Sequence, residues 1–354
     1  GARRAGVTDR DIALATDVTE LQVGRRRRAL GVRPTFHSVD TCAGEFAAQT
    51  PYFYRGFASA GEDLHDDRDS VVVLGSGPNR IGQGVEFDYC CVQAAQSVRE
   101  LGRAAVMVNC NPETVSTDHG VSDRLYLEPV TLDAVLDICE RERPIGVITQ
   151  LGGQTPLRMA RALEAEGVPI LGTSAESIDL AEDRERFGGI LAELGLKAPE
   201  WAIAGSAAEA HRAAARIGYP VLVRPSYVLG GRAMAIVFGP DDLDGYLRTE
   251  APSWPVLIDR FLEDAIELDV DAVCDGTDCH VAAILEHVEA AGVHSGDSAC
   301  VTPPQETGPG VCDQITAQTM AIGRRLGVVG LLNVQFALQD GELFVIEANP
   351  RASR

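Results

Sequence analysis

The stretch Asn333–Arg351, NVQFALQDGELFVIEANPR, carries the clearest structural signal in the chain. Apolar and polar residues alternate on both sides of Gln339-Asp340-Gly341, and Asp-Gly between two such runs predicts a β-hairpin. Side chains alternate across a strand, so Glu347 and Asn349 face the same way. Gln335 lies on the partner strand and reaches that face across the antiparallel pair.

One carboxylate and two amides on a single face suit a magnesium ion. Mg²⁺ prefers hard oxygen ligands and completes its shell with phosphate oxygens and water. Arg351 follows two residues after Asn349 and is near enough to clamp a phosphate. The alternative interpretation is an amphipathic hairpin with a polar outer face.

Arginine is the second ingredient of a phosphate site, because Lys197 is the only lysine in the chain. A P-loop needs its own lysine, and none of the glycine-rich stretches contains one. Phosphate must therefore be held by arginine, backbone N–H groups and metal ions. Arg224 lies at the end of a predicted strand, Pro220–Pro225, ahead of a turn at Gly230-Gly231 that permits close approach to an anion. A surface hairpin is the alternative.

Two further polar segments lie between these motifs. In Glu267–Asp271, ELDVD, acidic and apolar residues alternate, which predicts a half-buried strand with an acidic face. The loop Gly292–Ser298, GVHSGDS, is dense in hydrogen-bonding groups and contains one histidine. A single loop histidine is more often structural than catalytic.

A glycine-rich turn, Gly75–Gly84, follows an apolar strand and precedes a helix, as in dinucleotide-binding folds. Arg80 stands where the third glycine of that fingerprint belongs. The next strand ends in Asn109-Cys110-Asn111 and lacks the acidic residue that would hold a ribose. The pattern favours a tight turn that packs a helix on a sheet over a dinucleotide site.

The order of predicted elements defines the fold class. Strands and helices alternate from Ser70 to Gly172, as in a doubly wound parallel β/α domain. After the helix Asp183–Leu194, strands dominate, and this region is α+β. Residues 1–68 are predicted to be helical and irregular, with Asp9 or Asp11 as a helix cap.

Composition limits the possible partners. The formal charge of −21 argues against nucleic acid, which needs a basic surface, and no apolar run or leader predicts a membrane segment. The nine cysteines include no C-x-x-C pair and are expected to be buried, reduced thiols of a cytoplasmic protein. The first and last residues, GARRAGVTDRD and NPRASR, indicate a piece of a longer polypeptide.

Taken together, the motifs resemble the large subunit of carbamoyl phosphate synthetase, over nearly the whole chain. In the family's order, they are GPNRIGQGVEFDYC, VNCNPETVSTD, GGQTPLRMARALE, EDRERF, RPSYVLGGRAM, GVHSGDSAC and NVQFA with IEANPR. GPNRIGQG is typical of the second, carbamoyl-phosphate-forming half of that subunit. VDTCAGEFAAQTPYFY resembles the end of the oligomerisation domain between the halves.

The resemblance implies three segments. Residues 1–68 would be the remnant of the helical oligomerisation domain with a linker, and 69–182 a pre-ATP-grasp domain. Residues 183–354 would be a C-terminally truncated ATP-grasp domain with a mobile lid at about 219–287.

The resemblance also implies roles, residue by residue. Arg184 and Arg224 would contact ATP phosphates, with Arg351 on the transferred phosphoryl group, and Glu267 would accept the ribose hydroxyls. Gln335, Glu347 and Asn349 would hold Mg²⁺ or Mn²⁺. The remaining ATP-site residues would be Gly230 and Gly231 in the lid, Arg260 and Leu262 at the adenine edge, and Gly292, Val293, His294 and Ser295.

The implied reaction is phosphorylation of carbamate by ATP, within carbamoyl phosphate synthesis from bicarbonate, ammonia or glutamine and two ATP, for pyrimidine and arginine biosynthesis. The implied partners are a glutamine amidotransferase small subunit and the first half of the same large subunit, with K⁺ as a further candidate cofactor. Two alternatives stay open: another ATP-grasp carboxylate ligase, such as a biotin carboxylase or amino-acid ligase, and a non-catalytic regulatory half.

Overall fold

The computed structural model describes residues 1–46, 50–57, 67–78, 85–225, 234–249, 254–293 and 295–353. These residues divide into an N-terminal unit that ends at Glu176 and a C-terminal unit, Ser177–Ser353. The predicted boundaries at 68/69 and 182/183 stay predictions. No helix within the described ranges is long and apolar enough to cross a membrane.

The N-terminal unit is built on one six-stranded sheet. Its elements are α1 (Asp9–Thr16), α2 (Glu20–Ala29), β1 (Thr35–Ser38), β2 (Tyr52–Gly56), β3 (Ser70–Leu74), α3 (Val85–Glu100), β4 (Ala104–Asn109), β5 (Arg124–Leu127), α4 (Leu132–Glu142), β6 (Gly146–Ile148), α5 (Gln154–Leu157) and α6 (Ala160–Ala165). The strand order is β1-β2-β5-β4-β3-β6, and all pairs except β1–β2 are parallel.

Strand β3 shows why this sheet is covered on both faces. All five of its residues are buried, as is usual in parallel sheets. Val72 and Leu74 enter a core with α4 and α6, whereas Val71 and Val73 enter a second core with α3. The predicted doubly wound parallel arrangement is confirmed.

The prediction for residues 1–68 was wrong in omitting β1 and β2. Both strands join the sheet, because β2 pairs with β5 and the rings of Phe36 and Phe53 lie 5.3 and 5.6 Å from that of Tyr126. The predicted helix cap was also wrong, since Thr8 caps α1 and Asp11 completes its capping box. The assignment of this segment to an oligomerisation domain stays a prediction.

The turn after β3 is described only up to Pro78, and it is tight. Asn109 accepts hydrogen bonds from the backbone N–H groups of Gly77, at 3.1 Å, and Cys110, at 2.9 Å. A Cβ on Gly75 would lie 2.6 Å from the Asn109 amide, so a glycine is needed there. The described part of this turn therefore packs as predicted, against the end of β4.

The C-terminal unit contains two antiparallel sheets. Following α7 (Ala175–Glu182), which spans the division, its elements are α8 (Arg184–Glu193), β7 (Trp201–Ala204), α9 (Ala207–Ile217), β8 (Val221–Pro225), β9 (Ala235–Val237), α10 (Pro240–Thr249), β10 (Val256–Arg260), β11 (Ile266–Asp275), β12 (Cys279–His287), β13 (Cys300–Val301), α11 (Pro309–Leu326), β14 (Val329–Gln339) and β15 (Glu342–Asn349). The sheets have the orders β7-β10-β8-β9 and β13-β12-β11-β14-β15.

Each sheet of the C-terminal unit has its own core. Helices α9 and α10 pack on the four-stranded sheet, and α8 and α11 pack on the five-stranded sheet. Leu268 and Val270 of β11 enter the second core, so the acidic residues that alternate with them face the other way. The predicted lid, 219–287, includes strands of both sheets, because β8–β10 belong to the first and β11–β12 to the second.

Several local predictions differ from the structure. In the alternation predicted from Ser70 to Gly172, the last helix is divided into α5 and α6, and the last strand is only a single bridge between Val147 and Ile170. Strands β5, β7 and β13 and helices α7 and α9 were not predicted. The expectation of nine reduced thiols was also wrong, because Cys274 and Cys279 pair directly across the β11–β12 hairpin and form a disulfide.

Candidate active site

The outer face of the five-stranded sheet carries polar side chains in register. Asp269 pairs with Gln335, which pairs with Glu347 on the third strand. One row along, Asp271 pairs with Asn333, which pairs with Asn349. Gln335, Glu347 and Asn349 therefore share one face, which is the geometry that the hairpin pattern predicts. Their role as metal ligands stays a prediction.

The hydrogen bonds on this face decide which atoms a cation would meet. The side-chain amide of Asn349 donates to Oε1 of Glu347 at 2.9 Å, and that of Gln335 donates to Oγ of Ser295 at 3.2 Å. Both amide nitrogens already have acceptors, so these residues can offer their carbonyl oxygens to a cation. Two amide oxygens and a carboxylate suit Mg²⁺, whose remaining ligands would be phosphate oxygens and water.

The described residues contain no group of three or more histidine, cysteine, aspartate or glutamate side chains placed to hold a metal. The predicted set does not need one, because only Glu347 in it is ionisable. Such a set binds a cation weakly by itself and more strongly with a polyphosphate. The donor chemistry thus fits a metal that arrives with a nucleotide.

Two of the predicted phosphate arginines meet at one buried carboxylate. Arg184, the first residue of α8, donates from Nη2 to Oδ1 of Asp259 at 2.6 Å and from Nη1 to the Ile346 carbonyl at 2.7 Å. Nε of Arg224 lies 3.5 Å from Oδ2 of the same aspartate. Asp259 is 5% exposed and holds both guanidinium groups at the strand ends.

Sequence reasoning missed Asp259, although a signal was available. Leu257 of β10 pairs with Arg224 of β8, and Asp259 lies two residues further along, on the same face. A carboxylate diagonal to a strand arginine is within reach of it. The contact with Arg184 could not have been predicted, since it depends on the packing of α8.

The remaining predicted arginines have different surroundings. Nη1 of Arg351 donates to the neighbouring Ala352 carbonyl at 2.9 Å. The Arg260 side chain is exposed, and its backbone N–H is bonded to the Glu200 carbonyl at 2.8 Å. Leu262 is buried in a small apolar cluster with Ala337 and Phe344, which provides an apolar wall at the predicted adenine edge.

The loop that contains Gly292 approaches β11 closely. The backbone N–H of Gly292 donates to Oε1 of Glu267 at 3.0 Å. Gly292 has a φ of 92°, and a Cβ there would lie 3.0 Å from the Phe261 ring, so another residue would be strained. Val293 is exposed, and Ser295 contacts the predicted metal set through Gln335. His294, Gly230 and Gly231 lie outside the described residues.

Burial acts on the carboxylates of this face. It raises the pKa of Glu267, and the Gly292 N–H group and His287 only partly oppose the shift. It also raises the pKa of Asp271, against hydrogen bonds from Ser353 and Asn333. Asp271 lies on the half-buried acidic face of β11, as the alternation of that strand predicts.

Two family models match adjacent parts of this chain. The carbamoyl phosphate synthase preATP-grasp domain matches residues 67–180. The model described as carbamoyl-phosphate synthase L chain, ATP binding domain, matches residues 183–354 and so includes the whole polar face. The chain belongs to the carbamoyl phosphate synthase large-chain family.

Curated large chains of this family are similar over the whole of the present chain. The carbamoyl phosphate synthase large chain of Archaeoglobus fulgidus is 54% identical over 357 residues, which cover 100% of this chain and 33% of that protein. The one from Pseudomonas syringae pv. tomato is 56% identical over 355 residues, 99% of this chain and 33% of that protein. The chain thus spans about a third of these relatives.

Solved structures show the same ATP-grasp fold at low sequence identity. N5-carboxyaminoimidazole ribonucleotide synthetase from Thermus thermophilus has a TM-score of 0.62 at 19% identity, over 80% of this chain and 71% of that one. The biotin carboxylase domain of Hydrogenobacter thermophilus 2-oxoglutarate carboxylase, in complex with MgADP, ADP and bicarbonate, also has a TM-score of 0.62, at 18% identity over 82% and 65%. The predicted pre-ATP-grasp and ATP-grasp architecture is confirmed.

Proposed function

We propose that this chain binds ATP with a divalent cation and phosphorylates carbamate to carbamoyl phosphate. The observation that carries the proposal is the shared face of Gln335, Glu347 and Asn349, in a chain of this family. The motif GPNRIGQG resembles the one typical of the second half of the large subunit, and it supports the second of the two phosphorylations as the reaction of this chain.

The chain's residues act by positioning and by charge neutralisation. Arg184 and Arg224 bind the ATP phosphates in place of their shared partner Asp259, and Glu267 accepts the ribose hydroxyls. Gln335, Glu347 and Asn349 would hold Mg²⁺, which when bound withdraws charge from the phosphate oxygens.

Phosphoryl transfer on this site needs no covalent enzyme intermediate. An oxygen of carbamate attacks the γ-phosphorus in line with the leaving ADP, and the arginines stabilise the charge on the transferred group. Water must be excluded during the reaction, because carbamate decomposes readily and ATP would be lost to hydrolysis. The lid predicted at about 219–287 would provide that exclusion.

The finer parts of the proposal rest on the resemblance. These parts are Mn²⁺ as an alternative metal, K⁺, the cytoplasmic location, the glutamine amidotransferase small subunit and the first half of the large subunit. The acidic charge of the chain supports the absence of nucleic acid from this set.

The reverse partial reaction tests this site without requiring the reaction of the first half. The full-length natural chain is incubated with ADP, Mg²⁺ and carbamoyl phosphate, and ATP is measured by luminescence. We expect metal-dependent ATP formation, since the same residues act in both directions. The proposal fails if the chain binds ADP normally but forms no ATP.

A different ATP-grasp carboxylate ligase is the second candidate, since the similar solved structures include carboxylases. A screen of carboxylate substrates for ADP release separates the two activities. For a non-catalytic regulatory half, Mg²⁺-dependent ATP binding would be absent or would occur without turnover.

A further inference from the structure

His287, the last residue of β12, lies between two carboxylates of β11. Leu268 pairs with Glu286, so His287 stands opposite Glu267 and diagonal to Asp269. Its Nε2 is 2.9 Å from Oδ2 of Asp269, and its Nδ1 is 3.5 Å from Oε2 of Glu267. The side chain of His287 is 4% exposed, whereas that of Glu267 is 28% exposed.

Asp269 fixes the orientation of this ring. An ionised carboxylate only accepts hydrogen bonds, so Nε2 of His287 is the donor. A ring held at Nε2 presents its other nitrogen in one direction, here toward Glu267. Asp269 is in turn bound on its other oxygen, where the side-chain amide of Asn333 approaches to 3.5 Å.

Glu267 is therefore held at both oxygens. The N–H group of Gly292 binds Oε1, and His287 lies against Oε2. The two contacts reach different oxygens of the carboxylate and restrict its rotation. In an unrestrained glutamate, fixing the side chain would cost entropy whenever a ligand is bound. Glu267 is also the most exposed of the three ionisable side chains in this row, so it is the end that a ligand can reach.

We propose that His287 and Asp269 are positioning residues for the nucleotide sugar: Asp269 orients the ring of His287, and the ring holds Glu267 so that its carboxylate meets both ribose hydroxyls. The inference rests on the proposed function, in which Glu267 accepts those hydroxyls. A carboxylate that must meet two adjacent hydroxyls at once needs a fixed plane, and this arrangement provides it. Neither His287 nor Asp269 needs to touch the nucleotide.

The test compares nucleotides that differ only in the sugar. For the full-length natural chain, KM and kcat for ATP formation are measured with ADP, 2′-deoxy-ADP and 3′-deoxy-ADP. The variants are Glu267→Gln, His287→Phe, which keeps the ring bulk without nitrogens, and His287→Asn, which keeps a polar atom near the position of Nδ1 but loses the bond to Asp269. His211→Phe, at a partly exposed histidine of α9 that also pairs with an aspartate, is the matched control and should leave the ribose preference unchanged.

We expect His287→Phe to raise KM for ADP about 10-fold, the effect of losing one close polar contact to the Glu267 carboxylate, with kcat nearly unchanged. KM for the deoxy nucleotides should change little, so the preference for ribose collapses as in Glu267→Gln. The double variant, Glu267→Gln with His287→Phe, should lose no more of the ribose preference than either single variant, because both substitutions act through one carboxylate. His287→Asn should be intermediate and carries the test if the phenylalanine variant does not fold.

An equal loss with ribo- and deoxyribonucleotides would overturn the proposal, because it would mean that His287 only supports the fold. A normal ribose preference in Glu267→Gln would remove Glu267 as the ribose acceptor and the positioning proposal with it. Continued ATP formation in that case would leave the proposed function standing. The two failures are thus distinguishable.

Discussion

Each compact unit holds a cluster of ionisable side chains, and the two clusters differ in how their charges are matched. In the N-terminal unit, the N-terminal ion cluster consists of Arg3, Arg27, Arg55, Asp9, Asp133, Asp137 and Glu128. All of these side chains are at most 10% exposed, and each arginine meets at least two carboxylates. The three guanidinium groups also surround the ring of Phe57, at 4.6 to 5.9 Å.

The polar face of the C-terminal unit has no such balance. It carries the carboxylates of Glu267, Asp269, Asp271 and Glu347, and in the part of the chain that the structure describes their only ion pairs are those with His287. Their other partners are amides, hydroxyls and backbone N–H groups. The charges of the N-terminal ion cluster are compensated within the folded chain. The charges of the polar face would be compensated only when a cation binds with its anionic ligand.

The N-terminal ion cluster should contribute more to the stability of the fold than the polar face of the C-terminal unit does. Asp137 meets Arg27 and Arg55, each at 2.8 Å, and Asp137→Asn would leave both guanidinium groups buried and short of charge. We expect the free energy of unfolding to fall by about 3–5 kcal/mol, measured by urea denaturation. The control is Asp278→Asn, whose side chain is 82% exposed and whose pair with Arg324 should contribute less than about 1 kcal/mol. Equal effects in the two variants would contradict the distinction.

The polar face should show the opposite behaviour, with a large effect on rate and a small one on stability. Glu347→Gln removes the one carboxylate of the predicted metal set and should slow metal-dependent phosphoryl transfer at least about 100-fold. The melting temperature should not fall, because the substitution removes a charge from an acidic surface. An unchanged rate at low Mg²⁺ concentration would exclude Glu347 from the site.

Arg224 and Arg184, which meet at Asp259, should affect both stability and activity. They are paired in the folded chain, and the proposed nucleotide would also need them. Arg224→Ala should weaken nucleotide binding and turnover, each by roughly 10-fold, because phosphate charge is left uncompensated. Arg224→Lys should recover only part of this loss, since a point charge does not reproduce the planar fork. Full activity of the lysine variant would show that bidentate binding is not needed.

How far the sequence predicted each region follows from the range of the interactions. The β14–β15 hairpin and its polar face were predicted from an Asp-Gly turn and the alternation of the strands, which are local signals. Helix α9 was missed despite an alanine-rich sequence and Ser206 as its cap, so a local signal was overlooked there.

Strands β1 and β2 and the contact of Asp259 with Arg184 were beyond local patterns. The two strands have only four and five residues, and they are defined by pairing and by packing on Tyr126, which is distant in the sequence. Asp259 is buried by α8 and β8 together. Such features depend on packing between residues that are far apart in the sequence. Local patterns in a single sequence do not show which of these residues come close together.

Glu286 shows a third arrangement, because its buried carboxylate is matched by backbone N–H groups and not by arginine. Its oxygens accept the N–H groups of Gln305 at 3.1 Å, Glu306 at 3.0 Å and Thr307 at 2.8 Å. Burial alone would raise the pKa of Glu286, but the hydrogen bonds from Thr307, Glu306 and Gln305 outweigh it and lower the pKa.

Glu286→Gln should reduce the free energy of unfolding by about 1–2 kcal/mol at neutral pH, since the new amide sets N–H donors against the backbone donors. The loss should shrink in acid. A carboxylate whose pKa is lower in the folded than in the unfolded state stabilises the fold above the unfolded pKa, and this contribution disappears as pH falls through the folded value. Melting temperatures of both proteins, measured from neutral pH down to about pH 3, should therefore converge.

Glu342→Gln, at an exposed carboxylate that pairs with Lys197, is the control, and its melting temperature should run parallel to that of the unaltered protein. A constant gap for Glu286→Gln across this range would show that the variant acts through packing and not through the charge that the three N–H groups bind.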